Sequence, residues 1–105
     1  MSYKPLGELE QLILLATIRL GKDASGTLIR EVIEEATGRD VAIGSLYKSL
    51  ERLEGKGFIN SELGEATPER GGRARLFYTI TAEGKRTVKG SLDALQKLSL
   101  VPSLS

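Results

Sequence analysis

The chain contains no cysteine, no histidine and no tryptophan. Without cysteine there can be no disulfide and no thiolate metal site. Without histidine, the commonest general base and the commonest metal ligand are both missing. Long apolar runs are lacking too. The longest near the N-terminus, Leu12 to Ala16, is far too short to span a bilayer, and no cleavable signal pattern precedes it. We therefore expect a cytoplasmic protein without a membrane partner. Neither charge dominates: 15 Lys and Arg stand against 14 Asp and Glu, a net charge of +1. That balance argues against a simple polycation that coats nucleic acid. A length of 105 residues suits one small domain with a modest core, which an oligomer interface would help to stabilise.

Catalytic groupings are also absent. Glu34 and Glu35, and Glu51 with Glu54, are carboxylates at helical spacing with no nucleophile or metal ligand beside them. Gly71-Gly72 is too short a glycine element to cradle a nucleotide phosphate. The chain reads as a non-enzyme that needs no cofactor.

What is present centres on the stretch from Val41 to Gly57. At 100° per residue Ile43, Leu46, Leu50 and Leu53 share one side of a helix over about 43–56, with Tyr47 at the margin. The other side carries Ser45, Lys48 and Arg52. Short hydroxyls and long cations opposite an apolar stripe suit a helix lying in the DNA major groove, where they reach base edges or phosphates. The Tyr47 ring is expected to pack while its hydroxyl points outward, near a phosphate.

The flanking segments fit that reading. Leu6 to Leu20 reads as a helix with Leu6, Leu9, Ile13 and Ala16 on one stripe and Leu12 beside it. Leu14, Leu15 and Ile18 widen its apolar surface beyond what one core face needs, so part of it should face a partner subunit. After a loop at 21–26, Ser25 or Thr27 can cap a second helix that buries Leu28, Ile29, Val32, Ile33 and Ala36 and stops at Gly38. The short connector Arg39-Asp40-Val41 then makes a helix-turn-helix. Phe58–Leu63 and Arg75–Ile80 read as strands joined by a polar, Gly-rich loop over about 64–75 that carries Arg70, Arg73 and Arg75. Arginines beside glycines can close on phosphates or enter the minor groove. The second helix holds Glu31, Glu34 and Glu35, so the charge is segregated, with acid there and base on the wing. Thr81 should cap a last helix with Val88, Leu92 and Leu95 at helical spacing, and Val101 to Ser105 reads as a frayed end. The fold class is α+β, mainly α: a winged helix-turn-helix over 1–81 and a C-terminal dimerisation helix and tail over 82–105. The dimer surface expected from the surplus apolar positions is Leu9, Leu12 and Leu15 with Val88, Leu92 and Leu95. A dimer would set two recognition helices roughly 34 Å apart, one turn of DNA, as an inverted repeat demands.

Three segments together resemble the PadR family of bacterial transcriptional regulators. Leu6-Gly-Glu-Leu-Glu-Gln-Leu-Ile-Leu14 resembles the family's opening helix. Gly44-Ser-Leu-Tyr-Lys-Ser-Leu-Glu-Arg-Leu-Glu54 with Gly57-Phe-Ile59 resembles its recognition helix and the exit into the wing. Gly72-Arg-Ala-Arg-Leu-Phe-Tyr-Thr-Ile-Thr-Ala-Glu-Gly84 resembles its second wing strand and the cap of the last helix. With one C-terminal helix, the chain is similar to the family's short subgroup. The resemblance implies a homodimeric repressor of an operator near a promoter, often released by a small-molecule effector. It implies DNA contacts from Ser45, Tyr47 and Lys48 on the helix and from Arg73 and Arg75 on the wing. It also implies a dimer in which the last helix packs with the partner's first. Some short relatives stack flat drugs on an aromatic residue at the dimer centre, but this last helix has no Phe or Tyr.

Two function classes stay open: a sequence-specific regulator of double-stranded DNA, and a winged-helix module that binds protein, which the near-neutral charge favours. They differ in salt dependence. Arg73→Ala should weaken binding to every duplex and flatten the plot of log affinity against log salt by roughly 0.9. Titrations at several salt concentrations check this; an equal loss at every concentration removes Arg73 from phosphate contact.

Overall fold

The computed structural model describes residues 6–64 and 75–100. The expected frayed end at 101–105 and most of the wing loop, 65–74, lie outside them. The order is α1 (Glu8–Leu20), a single 3-10 turn (Gly21–Asp23), α2 (Gly26–Thr37), α3 (Ile43–Gly55), β1 (Ile59–Leu63), β2 (Leu76–Ile80) and α4 (Ala82–Ser99). The strands form one antiparallel hairpin with Ile59 opposite Ile80 and Leu63 opposite Leu76. This is the mainly helical winged arrangement read from the sequence.

The core forms where the helical stripes converge. Ile13, Leu14 and Ala16 of α1 meet Ile29 and Ile33 of α2, Leu46, Leu50 and Leu53 of α3, and Phe58, Ile59 and Tyr78 of the hairpin side. A fully buried leucine contributes about 1.5–3 kcal/mol relative to an exposed one, so the three of α3 hold that helix firmly. Helix α1 packs against α2, α3, β2 and α4. Leu14, read as surplus surface, is fully buried for that reason. Ala36, read as core, is exposed at the end of α2. Ile43 is 57% exposed: as the first residue of α3 it overhangs the core edge, and the small hydroxyl of Ser49 occupies buried surface instead.

Local chemistry ends the elements where expected. The Ser25 hydroxyl accepts from the Leu28 N–H to cap α2. Gly38 closes α2 in the left-handed conformation at φ 69°, which glycine adopts without a Cβ penalty. The 21–26 segment is more ordered than a loop reading implies. The Ala24 carbonyl accepts from Tyr78 N–H at 2.8 Å and Ser25 bridges Phe77, adding a third short rung to the hairpin.

The start of α4 belongs to the core. The Thr81 hydroxyl donates to the Gly57 carbonyl at 2.7 Å and accepts from Gly84 N–H at 3.0 Å. Gly84 and Val88 are buried. Val88, at 2% exposure, is filled in by its own domain and has no surface left for a partner, because the first two turns of α4 lie on the winged-helix body. The boundary between 81 and 82 thus marks where a helix begins rather than where packing ends. Beyond Val88 the apolar residues emerge, with Leu92 at 40% and Leu95 at 54% exposure.

At Gly84 a Cβ would run into the Phe58 carbonyl oxygen and the Ile80 side chain. Backbone cannot yield as a flexible side chain does. Gly84→Ala should cost about 1–3 kcal/mol, seen as a lower urea midpoint at unchanged m-value.

Candidate nucleic-acid interface

The segment that enters α3 is fixed by two side chains of α2. Arg30 Nε donates to the Val41 carbonyl at 2.7 Å, and Glu34 Oε2 accepts from the Val41 N–H at 2.8 Å. The two side chains are themselves 3.7 Å apart as an i,i+4 pair. Both backbone groups of Val41, two residues ahead of α3, are thus satisfied, which fixes the angle between the helices. An exposed pair, Arg39 with Glu8 at 2.9 Å, links the same turn to α1.

With its apolar side locked, α3 projects the residues read from the sequence. Ser45, Lys48 and Arg52 are exposed. They line one concavity of about 460 Å³ together with Gly7, Glu8, Leu9, Glu10 and Ser49. At 100° per residue Lys48 stands near the crest, opposite the buried side, while Ser45 and Arg52 lean towards α1. Arg52 donates to Ser49 Oγ at 3.3 Å. Among the described residues Lys48 has no ion-pair partner.

Tyr47, 44% exposed, does not line this concavity. It lies on the opposite margin of α3, its ring over the first residue of α2. A Cβ on Gly26 would stand 2.5 Å from its hydroxyl oxygen. Its ring packs, as expected, but beside the α2 N-terminus and Tyr78 rather than beside Ser45. Burial pushes the Tyr78 hydroxyl's pKa up, and the neighbouring Tyr47 and Glu54 add to that. Of the wing arginines, Arg75 is half-buried and its carbonyl accepts from Gly64 N–H at 2.7 Å. Arg70 and Arg73 lie outside the described residues.

Leu12 and Leu15 of α1, with Ala16, Arg19, Val32, Ile33 and Ala36, line an apolar groove of about 270 Å³. Leu9 and Leu12 also border the cleft beside Arg39 and Val41. These three leucines are half-buried, and Leu92 and Leu95 are exposed on α4.

Sequence reasoning overlooked Glu10. It is only 7% exposed. One carboxylate oxygen accepts from Gly7 N–H and the other from Lys56 Nζ, both at 2.9 Å. Burial raises its pKa, but the Gly7 bond, Lys56 and the nearby Arg52 charge together outweigh that and hold it below the ordinary value. The signal was available: Glu10 sits four residues after Leu6 and three before Ile13, on the buried stripe, where a carboxylate needs a partner.

The sequence matches the model of the PadR-like family of transcriptional regulators over residues 14–90. Solved structures agree. A transcriptional regulator from Clostridium thermocellum is 28% identical, with a TM-score of 0.72, over 87% of this chain and 82% of that one. A PadR-like transcription factor from Bacteroides fragilis has 28% identity, a TM-score of 0.71 and the same coverage, 87% and 82%. Bacillus subtilis PadR in complex with operator DNA has 26% identity and a TM-score of 0.64 over 80% of this chain and 46% of that one. No match is found among curated proteins.

The Glu10 pair carries a pH signature. A carboxylate whose folded pKa is depressed stabilises the fold above the ordinary glutamate value of about 4.3, and that stability is lost as pH falls through the lower folded value. Glu10→Gln should cost about 1–2 kcal/mol at neutral pH, since Lys56 is partly open to solvent. The difference from the parent should shrink on acidification below pH about 4. Urea melts of both proteins across that range check the sign.

Proposed function

Since this chain belongs to the PadR-like family of transcriptional regulators, we propose that it acts as a homodimeric repressor that reads an inverted-repeat operator in double-stranded DNA. One observation carries the reading: Lys48 at the crest of α3, unpaired among the described residues, beside exposed Ser45, on a helix whose other face and entry are locked. A rigid helix with cations and hydroxyls outward is suited to base edges in the major groove. Ser45, Lys48 and Arg52 form the reading face. Tyr47 anchors the margin by the α2 N-terminus. Arg70, Arg73 and Arg75 hold phosphate from the wing. The operator DNA bound to the similar Bacillus subtilis protein supports DNA as partner.

The dimer places Leu92 and Leu95 of α4 against the Leu9, Leu12 and Leu15 surface of the second copy. Exposed apolar residues on α4 and an open apolar groove on α1 and α2 support that pairing. Two-fold symmetry then matches an inverted repeat. A small-molecule effector that loosens this interface would release the operator, and the protein works in the cytoplasm with its DNA.

Selection of bound duplexes from a random library should enrich an inverted repeat. No binding at any salt concentration would instead favour a protein partner. Against the selected operator, Lys48→Ala should reduce the preference over random DNA about tenfold, measured as the ratio of the two dissociation constants. An unchanged ratio removes Lys48 from direct readout.

A further inference from the structure

The reading face is not purely basic. The concavity that holds Ser45, Lys48 and Arg52 has the first turn of α1 as its other wall, and Glu8 and Glu10 line it. Glu10 cannot swing away, because each of its oxygens accepts a hydrogen bond, from Gly7 and from Lys56. Lys48 and Arg52 of α3 and its C-cap Lys56 follow one another at four-residue steps with helical backbone, so they form one ridge. Of these three, Lys56 is ion-paired to Glu10 and Arg52 lies within its electrostatic reach. Glu8 similarly holds Arg39 at the turn before α3. Most of the cations around the recognition helix thus already face carboxylates of their own chain.

We propose that Glu8 and Glu10 are specificity-determining residues: they disfavour backbone phosphate on the α3 ridge, so that random duplex binds weakly and base contacts decide where the protein stays. The inference rests on the DNA reading given above. Its physics is the penalty of bringing like charges together. A phosphate settling on Arg52 or Lys56 must approach the Glu10 carboxylate and compete with it for the same cations, with Glu8 on the same wall, which suppresses the wrong partner. Non-specific affinity is almost wholly phosphate attraction, whereas a base edge carries no net charge and escapes most of that penalty. Removing the carboxylates should therefore raise affinity where no base contact is made.

The test measures binding of a random-sequence duplex across salt concentrations for the parent, Glu10→Gln and Lys56→Gln. Both variants break the same ion pair, so a merely structural pair predicts the same direction for both. We expect opposite directions. Glu10→Gln should tighten random-duplex binding about three- to tenfold at low salt and steepen the salt slope by roughly 0.9 for each cation released. Lys56→Gln, which leaves the carboxylate unneutralised, should weaken binding. If Glu10→Gln fails to tighten, or both variants move together, the proposal is overturned. Should Glu10→Gln fold poorly by circular dichroism, Glu8→Gln, on an exposed side chain, carries the same expectation of tighter binding and the same refutation. A parent that shows no salt-dependent DNA binding overturns the functional reading itself. A parent that binds with a clear salt slope, alongside variants that do not tighten, overturns this inference alone.

Discussion

Everything α3 can offer outward depends on how its inner face is held. Leu46, Leu50 and Leu53 are sealed in a core to which every other helix contributes, and the polar contacts at the two ends of α3 complete the grip. At the entry, Arg30 and Glu34 satisfy both backbone groups of Val41. At the exit, Lys56 is tied to Glu10, and the Gly57 carbonyl accepts from Thr81. A base-reading helix must keep its side chains within a fraction of an ångström and a few degrees of register. Apolar burial holds α3 against the core but is non-directional and leaves it some freedom to slide or roll. The directional bonds at its ends remove that freedom, and they come from three different elements, α1, α2 and the start of α4.

The charge arrangement follows the same economy. A net charge of +1 is low for a protein that meets a polyanion, yet the signs are sorted. Carboxylates lie on α2 and on the first turn of α1; on α3 itself Lys48 and Arg52 share the Ser45 side, while Glu51 and Glu54 lie towards Tyr47. Sorting lets a small net charge orient the molecule on DNA without a large uniform attraction. A strongly basic surface would hold every duplex well and would slow the discrimination of one from another.

Much of this was legible in the sequence, and the misses share a cause. The elements, their order, the Ser25 and Thr81 caps and the Gly38 stop all follow from periodicity and cap chemistry, which are local. So does the outward placement of Ser45, Lys48 and Arg52. Periodicity cannot say which elements a helix touches. Leu14 reads as surplus because α1 is expected to have one core face with a partner subunit on the other, whereas its own domain covers it from several directions. Val88 reads as partner surface because it continues the stripe of Leu92 and Leu95, whereas Gly84 lets the first turn of α4 press on the Phe58 carbonyl. Ile43 continued the stripe on a wheel but overhangs the core at the end of the helix. Glu10 and Lys56 are 46 positions apart, and only the fold brings them together.

Helix α1 is the member through which these parts communicate. One of its sides carries Leu12 and Leu15 in the open apolar groove; another carries Ile13 and Thr17 in the core, with Glu10 at the near end bonded to the last turn of α3. Thirteen residues of continuous helix form a stiff rod of about 20 Å, so its two sides cannot move independently. In the proposed dimer a partner seated on Leu12 and Leu15 would press on the same rod that holds Glu10 against Lys56. A shift in the subunit contact would therefore tilt the acidic first turn relative to the α3 ridge. In that dimer the geometry of association and the electrostatics of the α3 ridge would be one variable rather than two. Among the described residues such coupling would need no separate signalling element, because α1 borders both the open groove and the concavity beside α3.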